Sequence, residues 1–327
     1  MAHRPTELLT VYLDAQNQRR KVGRLAFKDR QILFEYDASF LASGIEISPI
    51  KLPLRPGVYL ADTTIFDGLH GVFNDSLPDG WGRLLLDRTV EKYGVHRGQL
   101  NPLDRLAYVG RHGMGALSYE PELSQQTADD APLALDKLAE ESAVVLAGEN
   151  EEVFEDLLRL NGSSSGARPK IVAQVSTDKK RIIHGQQEFE PDFAHWMIKF
   201  PSSQDARDSG AIEYAYSLMA KDAGVEMPET HLFRTKRNKY FGTKRFDRAG
   251  DARIHMHSLG GLIHADHRTP SLDYDMVLRV TLALTRNVQE AEKVYALACF
   301  NVLAHNRDDH VKNFSFLLNA RNEKFFT

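Results

Sequence analysis

The apolar positions of the chain change rhythm along its length. Near the start, "LLTVYLD" and "QILFEYD" alternate apolar and polar residues, which predicts strands with one buried face. The stretch "FNDSLPDGWGRLLLDRTVEKYG" then passes from Pro and Gly into a helical run, so residues 1–120 read as a small α+β unit. An acidic bridging segment, 121–156, contains "APLALDKLAEESAVVLAG", a predicted helix stopped by Gly148. Residues 157–250 hold a Gly/Ser turn and strand patterns, including "HWMIKFP" and "KYFGTKRFDR", around one helix. That helix is capped by Asp208 or Ser209, carries the stripe Ile212, Ala215, Tyr216, Met219 and Ala223, and stops at Gly224. Residues 251–327 are mainly helical in pattern. Tyr295, Leu297, Ala298, Val302 and Leu303 predict a mostly buried helix ending near His305.

Composition narrows the class. A chain of 327 residues with 42% hydrophobic content can build real cores, and its formal charge of -4 gives no bulk attraction to nucleic acid or anionic lipid. One cysteine, Cys299, excludes an internal disulfide and is expected to be a buried structural thiol. No stretch approaches the roughly 18 apolar residues that span a bilayer, so the chain is expected to be soluble and cytoplasmic, without a membrane partner.

The candidate chemistry concentrates in "NRDDHVKNFSFLL", residues 306–318. Asp308 and Asn313 have the spacing D-x-x-x-x-N of a kinase catalytic loop, where a carboxylate takes the acceptor hydroxyl's proton and an amide oxygen binds Mg²⁺. Lys312 could neutralise a transferred phosphoryl group. Asp and Asn are common in loops, and the spacing alone is weak. Upstream, "HWMIKFP" puts Trp196, Ile198 and Phe200 on one strand face and Met197 and Lys199 on the other. Lys199 either snorkels from a strand end or pairs with Glu213 of the following helix to hold nucleotide phosphates. "NGSSSGARPK" either links two elements or lets its backbone amides approach phosphate, with Arg168 or Lys170 adding charge. The order of turn, strand lysine, helix glutamate and D-x-x-x-x-N is that of a kinase.

In series, these stretches resemble the HipA-type toxin kinases, a bacterial serine/threonine kinase family. "GVFNDSLPDGWGRLLLDR" resembles the signature of the family's N-terminal subdomain, "GSSSGARPK" its phosphate loop, "IKFP" its ATP lysine, "KRFDR" its lobe-connecting segment and "NRDDHVKNFSFLL" its catalytic loop. The resemblance implies a two-lobed, protein-kinase-like α+β fold behind a small N-terminal subdomain, with the N-lobe at 157–250 and a partial C-lobe at 251–327. It implies ATP and Mg²⁺ as cofactors and transfer of phosphate to a protein serine, reported in the family for aminoacyl-tRNA synthetases. It also implies a DNA-binding antitoxin as partner, with DNA reached only through it. Carried over by position, Asp308 is the catalytic base and Asn313 the metal ligand. Ser165, Gly166, Ala167, Arg168, Lys170, Lys199, Glu213, Lys244, Phe246, His310 and Lys312 are the nucleotide-binding set, and Ser163 is the autophosphorylated serine.

The sequence departs from the family in one respect. No Asp follows Asp309, and Glu323 is the only later carboxylate, so the family's second metal-binding Asp and its remaining C-terminal helices have no counterpart. The expectation is an incomplete C-lobe that binds ATP weakly and transfers phosphate very slowly or not at all; the alternative is a catalytically impaired, kinase-like binding protein. The histidines of "HMHSLGGLIHADH" lack metal-site spacing and are expected in a loop leading into a helix. The basic run "FRTKRNKYFGTKR" is expected to be a hairpin with one solvated face, and Trp81 is expected to pack rather than stack on a ligand.

Overall fold

The computed structural model describes residues 4–123, 132–148, 154–161, 166–185, 189–202, 204–206, 208–269, 273–319 and 324–326. The alternation in the first segment buries Leu9, Val11 and Leu13 along the strand Leu8–Ala15. This strand sits between Gln18–Lys28 and Leu117–Glu120 in an antiparallel sheet that continues through Gln31–Tyr36 to Val58–Leu60. A second antiparallel sheet runs Ile182–His184, Lys170–Ser176, Phe193–Lys199, Lys239–Lys244, Thr230–Arg234. The last two of these strands are the expected hairpin, with Phe233, Tyr240 and Phe241 buried. A third sheet joins His255–Ser258, Ser315–Asn319 and Lys324–Phe326, so the histidine stretch forms a strand before its helix rather than a loop.

Two cores result. The first sheet packs its inner face, through Val11 and Phe34, with Phe73 of the helix Gly71–Asn74, into the same apolar cluster as Leu259, Val277, Val294 and Phe316 from the C-terminal part. Gly71 marks how closely the two parts meet: a Cβ there would lie 2.1 Å from the Gly261 carbonyl oxygen. The second core joins Trp81 and Leu85 of the helix Gly80–Lys92 to Trp196 and Ile198 of the second sheet. Trp81 therefore packs, as expected. The helix Leu135–Ala147, stopped by Gly148 in the left-handed region, adds Leu135, Leu138 and Val145 to this core.

Two helix faces differ from the hydrophobic pattern. On Ser209–Asp222 the stripe Ile212, Tyr216 and Met219 is exposed, while Ser217 and Ala220 are buried. The small residues win because they allow close approach to the hairpin, where Ser217 Oγ lies 2.9 Å from Thr230 Oγ1. On Val288–Leu303, Tyr295, Val302 and Leu303 are exposed and so is Cys299. There the helix turns Ala291, Val294 and Ala298 inward and packs against Tyr274–Thr285.

The two large sheets are joined at Asp247, which is fully buried. Its carboxylate accepts from Arg245 Nε at 2.8 Å, Arg245 Nη2 at 2.6 Å, Arg248 Nη1 at 2.8 Å and the Gly115 amide at 2.7 Å. Arg248 and Arg253 in turn donate to main-chain carbonyls of Arg111, Gly113, Gly115 and Leu117. Burial opposes ionisation of Asp247, but the two guanidiniums outweigh it and hold the carboxyl far below the usual range.

Asp247→Ala is therefore expected to cost about 3–5 kcal/mol, because it leaves two buried guanidiniums facing each other. Denaturant unfolding measures this. The folded-state pKa of Asp247 is depressed, so its stabilisation is present above the ordinary carboxylate pKa near ~4 and is lost as the pH falls toward the folded value.

Candidate functional site

The strand Phe193–Lys199 buries Trp196 and Ile198 and turns Lys199 to the other face. Lys199 Nζ lies 3.0 Å from Glu213 Oε2, on the first turns of the helix Ser209–Asp222. Arg168 Nη1 meets the other oxygen of Glu213 at 3.1 Å, and Arg168 Nη2 meets Asp205 at 2.8 Å. Lys170 stands directly opposite Lys199 in the antiparallel register. It is 4% exposed; burial, followed by the charge of Lys199, pushes its pKa down to about 8. Lys199, Glu213, Arg168 and Lys170 therefore share one end of the second sheet, while Ser163 and Ser165 lie outside the described residues.

The predicted loop follows the helix Val288–Leu303 and returns to the core at Ser315. Asp308 exposes 90% of its side chain, and its carboxylate lies 3.8 Å from His310 Nε2. The Asn313 side-chain amide donates to the Asp308 carbonyl, which leaves the amide oxygen of Asn313 for another partner. Behind the loop runs a relay that the sequence did not reveal. Asp308 N donates to Asn306 Oδ1 at 3.1 Å, Asn306 Nδ2 to Asn301 Oδ1 at 3.2 Å, and Asn301 Nδ2 to the Tyr274 hydroxyl at 2.8 Å. Tyr274 then donates to Asp309 Oδ2 at 2.7 Å. Tyr274 carries no local signal for this role, because no sequence pattern links it to Asp309, 35 positions later.

Lys312 reaches from this loop to the phosphate-turn side of the site, with Nζ 2.9 Å from Asp79 Oδ2. The Gly166 amide donates to Asp79 Oδ1, and the Trp81 amide donates to the Gly166 carbonyl at 3.2 Å. Gly80, at φ +42°, is required here, since a Cβ would lie 2.6 Å from Ala167 Cα. Burial opposes ionisation of Asp79, but Lys312, the Gly166 amide and Lys170 hold its carboxyl below the usual range. His310 packs its ring 5.3 Å from that of His267.

Lys244 and Phe246 line a mainly apolar cavity of about 570 Å³, together with Met227, Leu297, Asn313 and Phe314. Arg245, between them, also borders the cavity, while its guanidinium turns into the Asp247 cluster. The residues present fit a Mg²⁺-nucleotide in kind. Buried and half-buried lysines suit phosphates, an apolar cavity suits a base, and the Asn313 side-chain oxygen suits a hard cation that keeps waters and phosphate oxygens as its other ligands. Among the described residues no group of three or more His, Cys, Asp or Glu side chains could hold a metal by itself. No described helix is long and apolar enough to cross a membrane.

Comparison with known proteins agrees with this layout. Residues 9–120 match the HipA N-terminal domain family, and residues 162–325 match the HipA-like C-terminal domain family. Among solved structures, the HipA chain of a Shewanella oneidensis MR-1 toxin-antitoxin complex of HipA, HipB and operator DNA superposes with a TM-score of 0.68 at 19% sequence identity. The match covers 97% of this chain and 74% of that one. The fold is therefore the protein-kinase-like fold expected from the sequence.

Glu213→Gln should loosen Lys199 and Arg168 together, since both are held by this carboxylate. Because the pairs are partly exposed, the cost in stability is expected to stay within about 1 kcal/mol, while ATP affinity falls by a larger factor. Thermal unfolding and calorimetric titration of the same variant check the two halves.

Proposed function

Because the chain belongs to the HipA family of toxins from toxin-antitoxin systems, we propose that it is an ATP-dependent kinase that phosphorylates a serine on a protein. The carrying observation is the Lys199–Glu213 ion pair beside the buried Lys170, at the end of the sheet where a phosphate-binding turn enters. A buried lysine whose pKa is lowered, first by burial and then by the charge of Lys199, suits a site that takes up phosphate.

When bound, ATP with Mg²⁺ supplies the γ-phosphoryl group and the charge that screens it. The chain supplies position and proton transfer. Lys170 and Lys199 hold phosphate oxygens, and Glu213 fixes the direction of Lys199. Asp308 accepts the proton of the acceptor hydroxyl, and its exposure fits a group that must meet a protein substrate rather than a small molecule. Asn313 offers its side-chain oxygen to the cation, and Lys312 offsets charge on the transferred group. Lys244 and Phe246 take the adenine side, and His310 flanks the phosphates. Ser163 is the proposed site of self-phosphorylation. A DNA-binding antitoxin is the proposed partner, supported by the HipB and operator DNA that accompany the Shewanella protein. An aminoacyl-tRNA synthetase is the proposed class of substrate, and the cytoplasm the proposed compartment.

Asp308→Ala should abolish transfer of labelled phosphate from ATP while leaving stability nearly unchanged, since the lost side chain is 90% exposed. Equal labelling by both chains would reject Asp308 as the base. A chain that binds ATP and antitoxin but labels nothing would favour the binding-protein alternative.

The pH dependence of ATP affinity is also set by the site. Lys170 carries its charge below a pKa of about 8 and loses it above, so ATP affinity should fall as the pH rises through that value. One proton limits the fall to about tenfold per pH unit, and bound phosphate moves the midpoint upward. Titration calorimetry of wild type and Lys170→Met from neutral to alkaline pH tests this, with the variant expected to be flat.

A further inference from the structure

Asp79 belongs to neither the phosphate-binding turn nor the catalytic loop, yet it touches both. It lies on the turn Pro78–Gly80 before the helix Gly80–Lys92, in the part of the chain built on the first sheet. One carboxylate oxygen accepts from the Gly166 amide, and the other lies 2.9 Å from Lys312 Nζ, 233 positions later in the sequence. Around this bridge the backbone is fixed as well. The Trp81 amide holds the Gly166 carbonyl at 3.2 Å, and Gly80 leaves no room for a side chain against Ala167. Trp81 is itself anchored at 1% exposure in the second core. Neither Asp79 nor Lys312 exposes much of its side chain, at 21% and 13%, so water does not weaken the pair as it does a surface bridge.

Phosphoryl transfer depends chiefly on placing charged groups against one another. A carboxylate that ties the turn under the phosphates to the lysine of the catalytic loop fixes the distance between the two halves of the site. It does so without itself meeting the acceptor.

We propose that Asp79 is a positioning residue, by which the N-terminal part of the chain locks the phosphate turn and the catalytic loop into one frame. Its catalytic consequence rests on the kinase reading given above; the mechanical tie does not. Removing the negative charge also removes repulsion toward incoming phosphates. Loss of the tie should therefore slow transfer without weakening ATP binding.

The test compares wild type, Asp79→Asn and Asp79→Glu in three measurements: hydrogen exchange of the segments 166–170 and 306–314, calorimetric affinity for ATP with Mg²⁺, and the rate of phosphate transfer from labelled ATP. For Asp79→Asn, exchange should quicken in both segments, the transfer rate should fall by about tenfold or more, and ATP affinity should be equal or tighter. Asp79→Glu keeps the charge and should recover most of the rate. Unchanged exchange in Asp79→Asn overturns the tie, and affinity and rate falling in proportion overturn the positioning role. A wild-type chain that neither binds ATP nor transfers phosphate counts against the kinase reading, and the exchange measurement still decides on the tie. Circular dichroism of each variant separates these results from failure to fold.

Discussion

The fold depends on one buried carboxylate. Asp247 gathers donors from Arg245, Arg248 and the Gly115 amide, and so joins the segment leaving the second sheet to the loop before the first sheet's last strand. An isolated carboxylate at this depth would cost several kcal/mol in lost solvation. The charge is tolerated because two guanidiniums compensate it and because Arg248 and Arg253 spend their remaining donors on main-chain carbonyls of residues 111–117. Burial, with the neighbouring Arg245 next, lowers the pKa of the Arg248 guanidinium. Geometry rather than net attraction is what such a cluster secures.

The sequence made the chemistry legible wherever function and local pattern coincide. Lys199 was placed on its strand face by period-two alternation, and Glu213 by its position on the first turns of the next helix; both are local statements, and they meet at 3.0 Å. The same reasoning failed on the outer face of that helix. Ile212, Tyr216 and Met219 form an apolar stripe by spacing, but Ser217 and Ala220 take the buried side because a helix lying close on a hairpin needs small residues at the contact. Periodicity finds which residues share a face. It does not say which face the sheet will choose when one is apolar and the other small.

Long-range partners were illegible for a different reason. Asp79 lies in the stretch "LPDGWG", where Pro, Asp and Gly satisfy every rule for a turn, and nothing nearby requires the carboxylate to serve anything else. Its partners Gly166 and Lys312 come from two distant segments. Tyr274, Asn301 and Asp309 are similar, since their relay is assembled only when the helices Tyr274–Thr285 and Val288–Leu303 pack together. A residue whose role is to hold another carries no local signature of its own.

These contacts share a design that bears on motion. Asp75 meets His257 Nδ1 at 2.6 Å and accepts from the Ser258 amide at 2.7 Å, so the N-terminal part also grips the first strand of the third sheet. Asp75 and Asp79 are four residues apart in sequence, yet one holds the C-terminal part and the other bridges the phosphate turn to the catalytic loop. With Asp247, three carboxylates fasten the first-sheet unit to the second sheet, the third sheet and the catalytic loop. Two lobes that hinge freely would have to break at least one of these buried pairs, and each break exposes a charge in a poorly solvated place. The partly exposed pair Lys199–Glu213 and the exposed Asp308 are cheaper to disturb, because water can replace the lost partner there. The rigid contacts set the frame, and the solvent-facing ones are left free to answer a ligand.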